Sequence, residues 1–284
     1  MNTTELIAAL LLMLVVAVFS VRWTAALNPQ SLIGRVAAPL LFGIWVLLFW
    51  EVITTAFDVP RVILPAPSLI GSALWKGASL LQDDVVQTVL KSALAGLVIG
   101  CGFGFAMGVL IDRSPFLQRG LLPLAALASS VPLVGIAPIM VMWFGFDWQS
   151  KAAVVALMTF FPMLVNTLAG LKEAGHMERD LMRSYGAGYW RTLMALRLPV
   201  ALPFVFNALK INSTLALIGA IVAEFFGSPT VGLGFRISTE AARMNMGLVW
   251  AAIFMAALAG SLLYGLLGWM ERRLTFWHPS IRRT

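Results

Sequence analysis

Seven stretches of this chain, 5–21, 36–57, 90–111, 120–144, 152–171, 204–226 and 247–269, are apolar over about the 20 residues a helix needs to cross a bilayer. Within hydrocarbon every backbone N–H and C=O must be satisfied by the segment itself or by a closed barrel. The runs are continuously apolar rather than alternating, which excludes a membrane β-barrel. The expectation is an all-α integral membrane protein with about seven transmembrane helices. Composition agrees: 60% of the 284 residues are apolar and 12% charged, against about 25% charged in soluble domains.

The net charge of +7 does not indicate nucleic acid. Its Lys and Arg are scattered between apolar runs and form no basic stripe interleaved with stacking aromatics. A single cysteine, Cys101, leaves no intrachain disulfide. His176 and His278 are far apart, with no second ligand at zinc spacing, so no metal site is expected. No G-x-x-x-x-G-K-[ST] motif is present, so this chain has no P-loop for nucleotide phosphates. No serine–histidine–acid arrangement is convincing either, and no catalytic residue is expected. Uphill transport by such a chain draws on an ion gradient or on another protein.

The first run, after MNTTE, has nothing basic before it and no small-x-small site before Arg22. It is expected to be a retained helix rather than a cleaved signal. With the N-terminus outside, thirteen Lys and Arg fall in inner segments: Arg22, Arg35, Arg113, Arg119, Lys172, Arg179, Arg183, Arg191, Arg197, Arg272, Arg273, Arg282 and Arg283. Six fall outside: Arg61, Lys76, Lys91, Lys151, Arg236 and Arg243. Lys210, near the inner start of a span, is uncounted. This bias puts the C-terminus and the interval 172–203 in the cytoplasm.

That interval holds ERDLMRSYGAGYWRTLMALRLP, from Glu178 to Pro199. Leu181, Met182, Tyr185, Tyr189 and Leu193 recur at three- and four-residue spacing and form one apolar stripe. Asp180 can reach Arg183 one turn away. Gly186 and Gly188 let two short helical pieces meet at an angle. The result is an amphipathic elbow, resting on lipid headgroups or docking into a groove of a cytoplasmic partner.

Gly186, nine residues, then Leu196, Arg197, Leu198 and Pro199 resemble the G-x9-I-x-L-P signature of the inner-membrane permeases of binding-protein-dependent ABC importers. The Glu-Ala-Ala that opens that signature is replaced by Asp180, Leu181 and Met182. LPAPSLIGSAL (64–74), VPLVGIAPIMVMWFG (131–145), VGLGF (231–235) and RRLTFWHP (272–279) are similar to the nitrate, sulfonate and taurine branch, which also includes permeases for thiamine-pyrimidine precursors. The resemblance implies a type I ABC importer permease fold over 36–284, with 1–35 as an additional transmembrane helix and cytoplasmic connector. It implies that the elbow is a coupling helix seated in an ATP-binding subunit, with Asp180, Arg183, Tyr185, Gly186 and Ala187 as contacts. Leu196, Leu198 and Pro199 complete the signature. The implied partners are two cytoplasmic ATP-binding subunits holding ATP and magnesium, a second permease copy, a periplasmic solute-binding protein and membrane lipid, at the bacterial inner membrane. This chain itself is expected to hold no cofactor.

Polar groups within spans usually face a cavity or a partner. Glu51, Asn166, Asn207, Asn212 and Glu224 are therefore candidates for the solute path. Pro132 and Pro138, with Gly135, break the fourth apolar run and join them. The rival reading is a self-sufficient secondary transporter or channel, which favours broken helices in corresponding halves. Only one Pro-broken run is seen. An intramembrane enzyme finds no catalytic constellation.

Overall fold

The computed structural model describes residues 3–25, 32–114, 116–120, 123, 132–227 and 230–277. Among the described residues there is no strand, and ten helices order the chain. They are α1 (Thr3–Ala25), α2 (Leu32–Ala56), α3 (Pro67–Lys76), α4 (Ala78–Asp112) and α5 (Leu133–Phe144). Then follow α6 (Trp148–Lys172), α7 (His176–Ser184), α8 (Tyr189–Phe226), α9 (Leu233–Ala242) and α10 (Met246–Leu274). Residues 116–120 are also helical. Five segments are long and apolar enough to cross a membrane: Val36–Ala56 in α2, and α4, α6, α8 and α10. The apolar stretches Leu11–Thr24 in α1 and Gly135–Phe144 in α5 are shorter. Much of the expected fourth span, residues 121–122 and 124–131, lies outside the described residues.

Two helices overrun the apolar runs that announced them. α4 has 35 residues and α8 has 38, about 50 Å or more at 1.5 Å per residue, against a hydrocarbon core of about 30 Å. In α8 the helix passes from the elbow straight into the span, through Pro199. A proline in a helix interior lacks an N–H and crowds the carbonyl four residues back. A π turn, Leu193–Arg197, stands immediately before it, with the Leu198 N–H on the Leu193 carbonyl. The wider turn relieves the crowding, so the helix continues through Pro199 into the span. A second π stretch, Val86–Leu94, interrupts α4, where Ser92 Oγ donates to the Gln87 carbonyl at 2.9 Å.

The chain divides into two compact units, residues 1–78 with 240–251 and residues 79–239 with 252–284. In the first, the Trp45 indole N–H donates to Ser20 Oγ at 2.9 Å and joins α2 to α1. Trp50 and Trp250 meet edge to face with centroids 5.1 Å apart. Helix α3 starts with Pro67, and Ala66 before it has no side chain to cap the free amides. Glu51 on α2 supplies the cap instead, accepting the Ser68 N–H at 2.8 Å and the Ser68 hydroxyl at 2.6 Å.

In the second unit α4, α6 and α8 form the core. Gly96, Gly100, Gly104 and Gly108 repeat every four residues along one face of α4. A Cβ on Gly100 would lie 2.1 Å from Thr159 Oγ1 and 2.4 Å from the Ala156 carbonyl oxygen; one on Gly96 would meet Val155 Cβ at 2.5 Å. The stripe therefore brings α4 backbone-close to α6. In a membrane, where lipid is as apolar as leucine, that close van der Waals packing is what holds helices together. Ala93, Leu97, Cys101, Val155, Met163, Ala208, Ala216 and Ala220 continue the same core. Helix α5 joins through Ala137, packed with Val154 of α6 and Ala223 of α8. Asp147 caps α6 by accepting the Trp148 N–H at 2.8 Å, and it also accepts from the Gln87 amide at 3.1 Å. Those two bonds hold its carboxyl below the usual carboxylate range.

Candidate functional site

The elbow is built by a helix stop. Helix α7 has no buried residue and ends at Ser184. The Gly186 N–H reaches the Arg183 carbonyl at 2.8 Å, and the Ala187 N–H reaches the Met182 carbonyl at 3.0 Å. With Gly186 at φ +72, this is a Schellman stop, whose left-handed residue strains any side chain with a Cβ. The space around Gly186 is open, so backbone conformation alone explains the glycine here. Asp180 and Arg183 form the expected one-turn pair at 3.1 Å, both exposed. Met177 (84% exposed), Leu181 and Tyr185 (79% exposed) make an exposed apolar stripe along α7 and its C-cap.

The second arm of the elbow is anchored. Leu193 is fully buried with Leu171 and Ala201, against Val109, Tyr189 and Leu198. Leu196 and Pro199 are partly buried nearby. Arg197 closes the π turn and meets Asp112, the last residue of α4, with both guanidinium ends: Nη1 to Oδ2 at 2.7 Å and Nη2 to Oδ1 at 2.8 Å. Its Nε and Nη2 also donate to the Leu171 carbonyl of α6, at 2.9 and 2.8 Å. The Tyr189 hydroxyl adds a bond to Asp112 Oδ2 at 3.1 Å. Arg113 stands 5.8 and 5.9 Å from the ring centroids of Tyr189 and Trp190. Neither Asp112 nor Arg197 figured among the candidate residues. The available signal was a single acid ending an apolar run (GVLID) and an arginine inside LRLP.

At the other end of the same unit, the VGLGF motif is held by three consecutive amides. The Gly232 N–H donates to Asp84 at 2.7 Å, the Leu233 N–H to Thr88 Oγ1 at 2.7 Å, and the Gly234 N–H to Glu224 Oε2 at 2.7 Å. These amides begin α9, where the helix dipole favours acceptors and negative charge. Thr88 donates in turn to Glu224, 2.8 and 3.0 Å from its two oxygens. Arg236 returns from α9 to Asp84, Nε to Oδ2 at 2.7 Å. Asp84, Thr88, Glu224 and Arg236 are all buried. The π stretch Val86–Leu94 carries Thr88, so both π segments lie at polar clusters, as such turns often do.

The proposed path residues fall in different settings. Glu224 is 2% exposed and engaged with Thr88 and Gly234. Asn212 is buried, donating to the Thr159 carbonyl at 2.8 Å and to Cys101 Sγ at 3.1 Å. Asn166 is partly buried and donates to the Pro162 carbonyl at 2.8 Å. Asn207 is exposed on α8. Glu51 is partly buried as the cap of α3. Pro132 stands before the first turn of α5 and Pro138 inside it, both exposed; α5 runs unbroken through Pro138. Among the described residues no group of His, Cys, Asp and Glu is placed to hold a metal ion.

Residues 96–276 match the family described as the binding-protein-dependent transport system inner membrane component, and the chain belongs to that family. It is the transmembrane permease subunit of an ABC importer, and the reading as a self-sufficient carrier or channel is not favoured. Among its relatives, the riboflavin transport system permease protein RibX of Chloroflexus aurantiacus is 32% identical over 82% of this chain and 87% of its own. The formylaminopyrimidine transport permease protein ThiX of Halalkalibacterium halodurans is 31% identical over 85% and 96%. A chain of the MetNI methionine ABC transporter, solved in inward-facing conformations, shares the fold at a TM-score of 0.55, with 17% identity over 75% of this chain and 99% of that one.

Proposed function

We propose that this permease works as a homodimer carrying two cytoplasmic ATP-binding subunits, one seated on each elbow, and receives a small solute from a periplasmic binding protein. ATP and magnesium are held by the ATP-binding subunits, and this chain does no covalent chemistry. The observation that carries the reading is the unpartnered stripe of Met177, Leu181 and Tyr185 beside the Asp180–Arg183 pair, presented by the stop at Gly186 and Ala187. An exposed amphipathic helix of this kind fits a groove on another protein. The Lys and Arg bias assigns the elbow and C-terminus to the cytoplasm and the N-terminus to the outside of the inner membrane. Residues 1–35 serve as an additional helix, and 36–284 as the transporting domain.

For the path, Asn207 is the first candidate, because its amide is exposed on a core helix. Asn166, Glu51, Pro132 and Pro138 are secondary ones. Glu224 and Asn212 are assigned to holding the bundle, since the Glu224 carboxylate and the Asn212 amide nitrogen are bonded inside it. Two relatives are named for riboflavin and for a formylaminopyrimidine, so nitrogen heterocycles are the first solutes to test.

Purification in mild detergent from the native membrane, with the co-purifying chains identified and counted, tests the assembly. An ATP-binding subunit in equal amount, lost on Gly186→Trp, supports the reading. A chain that purifies alone and transports under an ion gradient refutes it.

A further inference from the structure

The elbow touches the bundle at one directional junction. Helix α7 buries nothing, and the apolar contacts of Leu193, Leu171 and Ala201 hold without fixing an angle. The guanidinium of Arg197 does fix one: a planar fork meets a carboxylate with two bonds, and the same group reaches a backbone carbonyl with two more. Three helices converge there. Arg197 belongs to α8, the Leu171 carbonyl closes α6, and Asp112 ends α4. Helices α6 and α8 are joined to the elbow by the chain itself. Helix α4 is not: its last residue precedes Arg197 by 85 positions. Among the described residues, its polar links to the elbow pass through Asp112 and Arg113. Beyond that end, the glycine stripe seats α4 against α6 with no room for sliding side chains.

We infer that Arg197, gripping Asp112, is the positioning residue that makes α4 move with the elbow when the ATP-binding subunit moves it. This rests on the proposed docking of that subunit. Without the grip, α7, α6 and α8 still receive the displacement through the chain, while the inner end of α4, around Leu110 and Asp112, keeps no directional bond that fixes its angle to the elbow. The lone alternative is an ion pair that only holds the fold.

The test uses the complete importer complex with an environment-sensitive fluorophore on a cysteine at either Met177 (84% exposed) or Leu110 (56% exposed). Cys101 is buried and stays unlabelled. In the parent protein, magnesium-ATP should shift the emission of both labels. With Arg197→Gln, the Met177 label should still shift while the Leu110 shift is lost. Arg197→Lys, which keeps a cation facing Asp112, should restore part of it. A Leu110 shift unchanged by Arg197→Gln overturns the inference. If neither label responds in the parent protein, the docking reading fails instead, and the inference with it. Should Arg197→Gln not assemble, Tyr189→Phe removes one bond to Asp112 and leaves the ion pair. Asp112→Asn is therefore made as well, since it removes the charge that Arg197 grips: a weakened Leu110 response beside a normal Met177 response in Asp112→Asn supports the inference, and two normal responses there overturn it.

Discussion

Replacing Asp84 by alanine probes the latch on the VGLGF motif. The carboxylate is fully buried and serves both Arg236, itself 7% exposed, and the Gly232 N–H. Its loss strands a buried guanidinium, at a cost of about 3–5 kcal/mol. The orphaned amide adds about 1 kcal/mol. At roughly 2–4 °C per kcal/mol for a domain of this size, the melting midpoint should fall by about 8–24 °C. The double variant Asp84→Leu, Arg236→Met replaces the pair with apolar groups and strands only the amide. Charge burial costs about as much as the pair returns, so this variant should lose only about 1 kcal/mol. Tryptophan-fluorescence melting in detergent measures all three proteins. If Asp84→Ala melts within about 2 °C of the parent, or no lower than the double variant, the pair is not a buried, mutually dependent unit and the reasoning fails.

Gly100→Val should overpack the α4–α6 contact and lower stability by about 1–3 kcal/mol, whereas Gly102→Ala, with open space around it, should leave it unchanged or slightly raised; melting separates the two. At Gly186, alanine should cost about 1 kcal/mol and asparagine less, because only φ is at stake there. Pull-down of the ATP-binding subunit by both variants should follow that order. Asp147→Ala should remove the α6 cap and about 1 kcal/mol of stability. Because the native carboxyl is held low, its contribution is present above the unfolded-state pKa and is lost as pH falls through the folded one. Acid melts of the parent and variant should therefore converge at low pH and diverge toward neutrality.

How much of this was legible in advance varies with the range of the interaction. The helical class, the apolar spans and the elbow were readable because each is local: a run of hydrocarbon, or a glycine, nine residues and then Leu-Arg-Leu-Pro. The single stripe expected from Leu181 to Leu193 is instead split by the stop at Gly186, leaving Leu181 and Tyr185 exposed and Leu193 buried. Even the i,i+3 pair of Asp180 and Arg183 followed from helix spacing. The length of α8 was not, since the apolar run starts only at 204 and the π turn that carries the helix past Pro199 leaves no mark in residue type. Nor does hydropathy distinguish a face turned to lipid from one turned to another helix, as both are apolar; Gly96, Gly100, Gly104 and Gly108 of α4 show their purpose only against α6. Glu224 and Asn212 could be singled out as costly groups within spans, yet what they bond depends on helices brought from elsewhere. By itself the sequence determined that the chain is a helical membrane protein with an elbow at 172–203. The tertiary structure decided that Asp112 meets Arg197 and Asp84 meets Arg236, partners 85 and 152 residues apart, because a buried charge is satisfied by whatever packing brings near it and local periodicity carries no record of that choice.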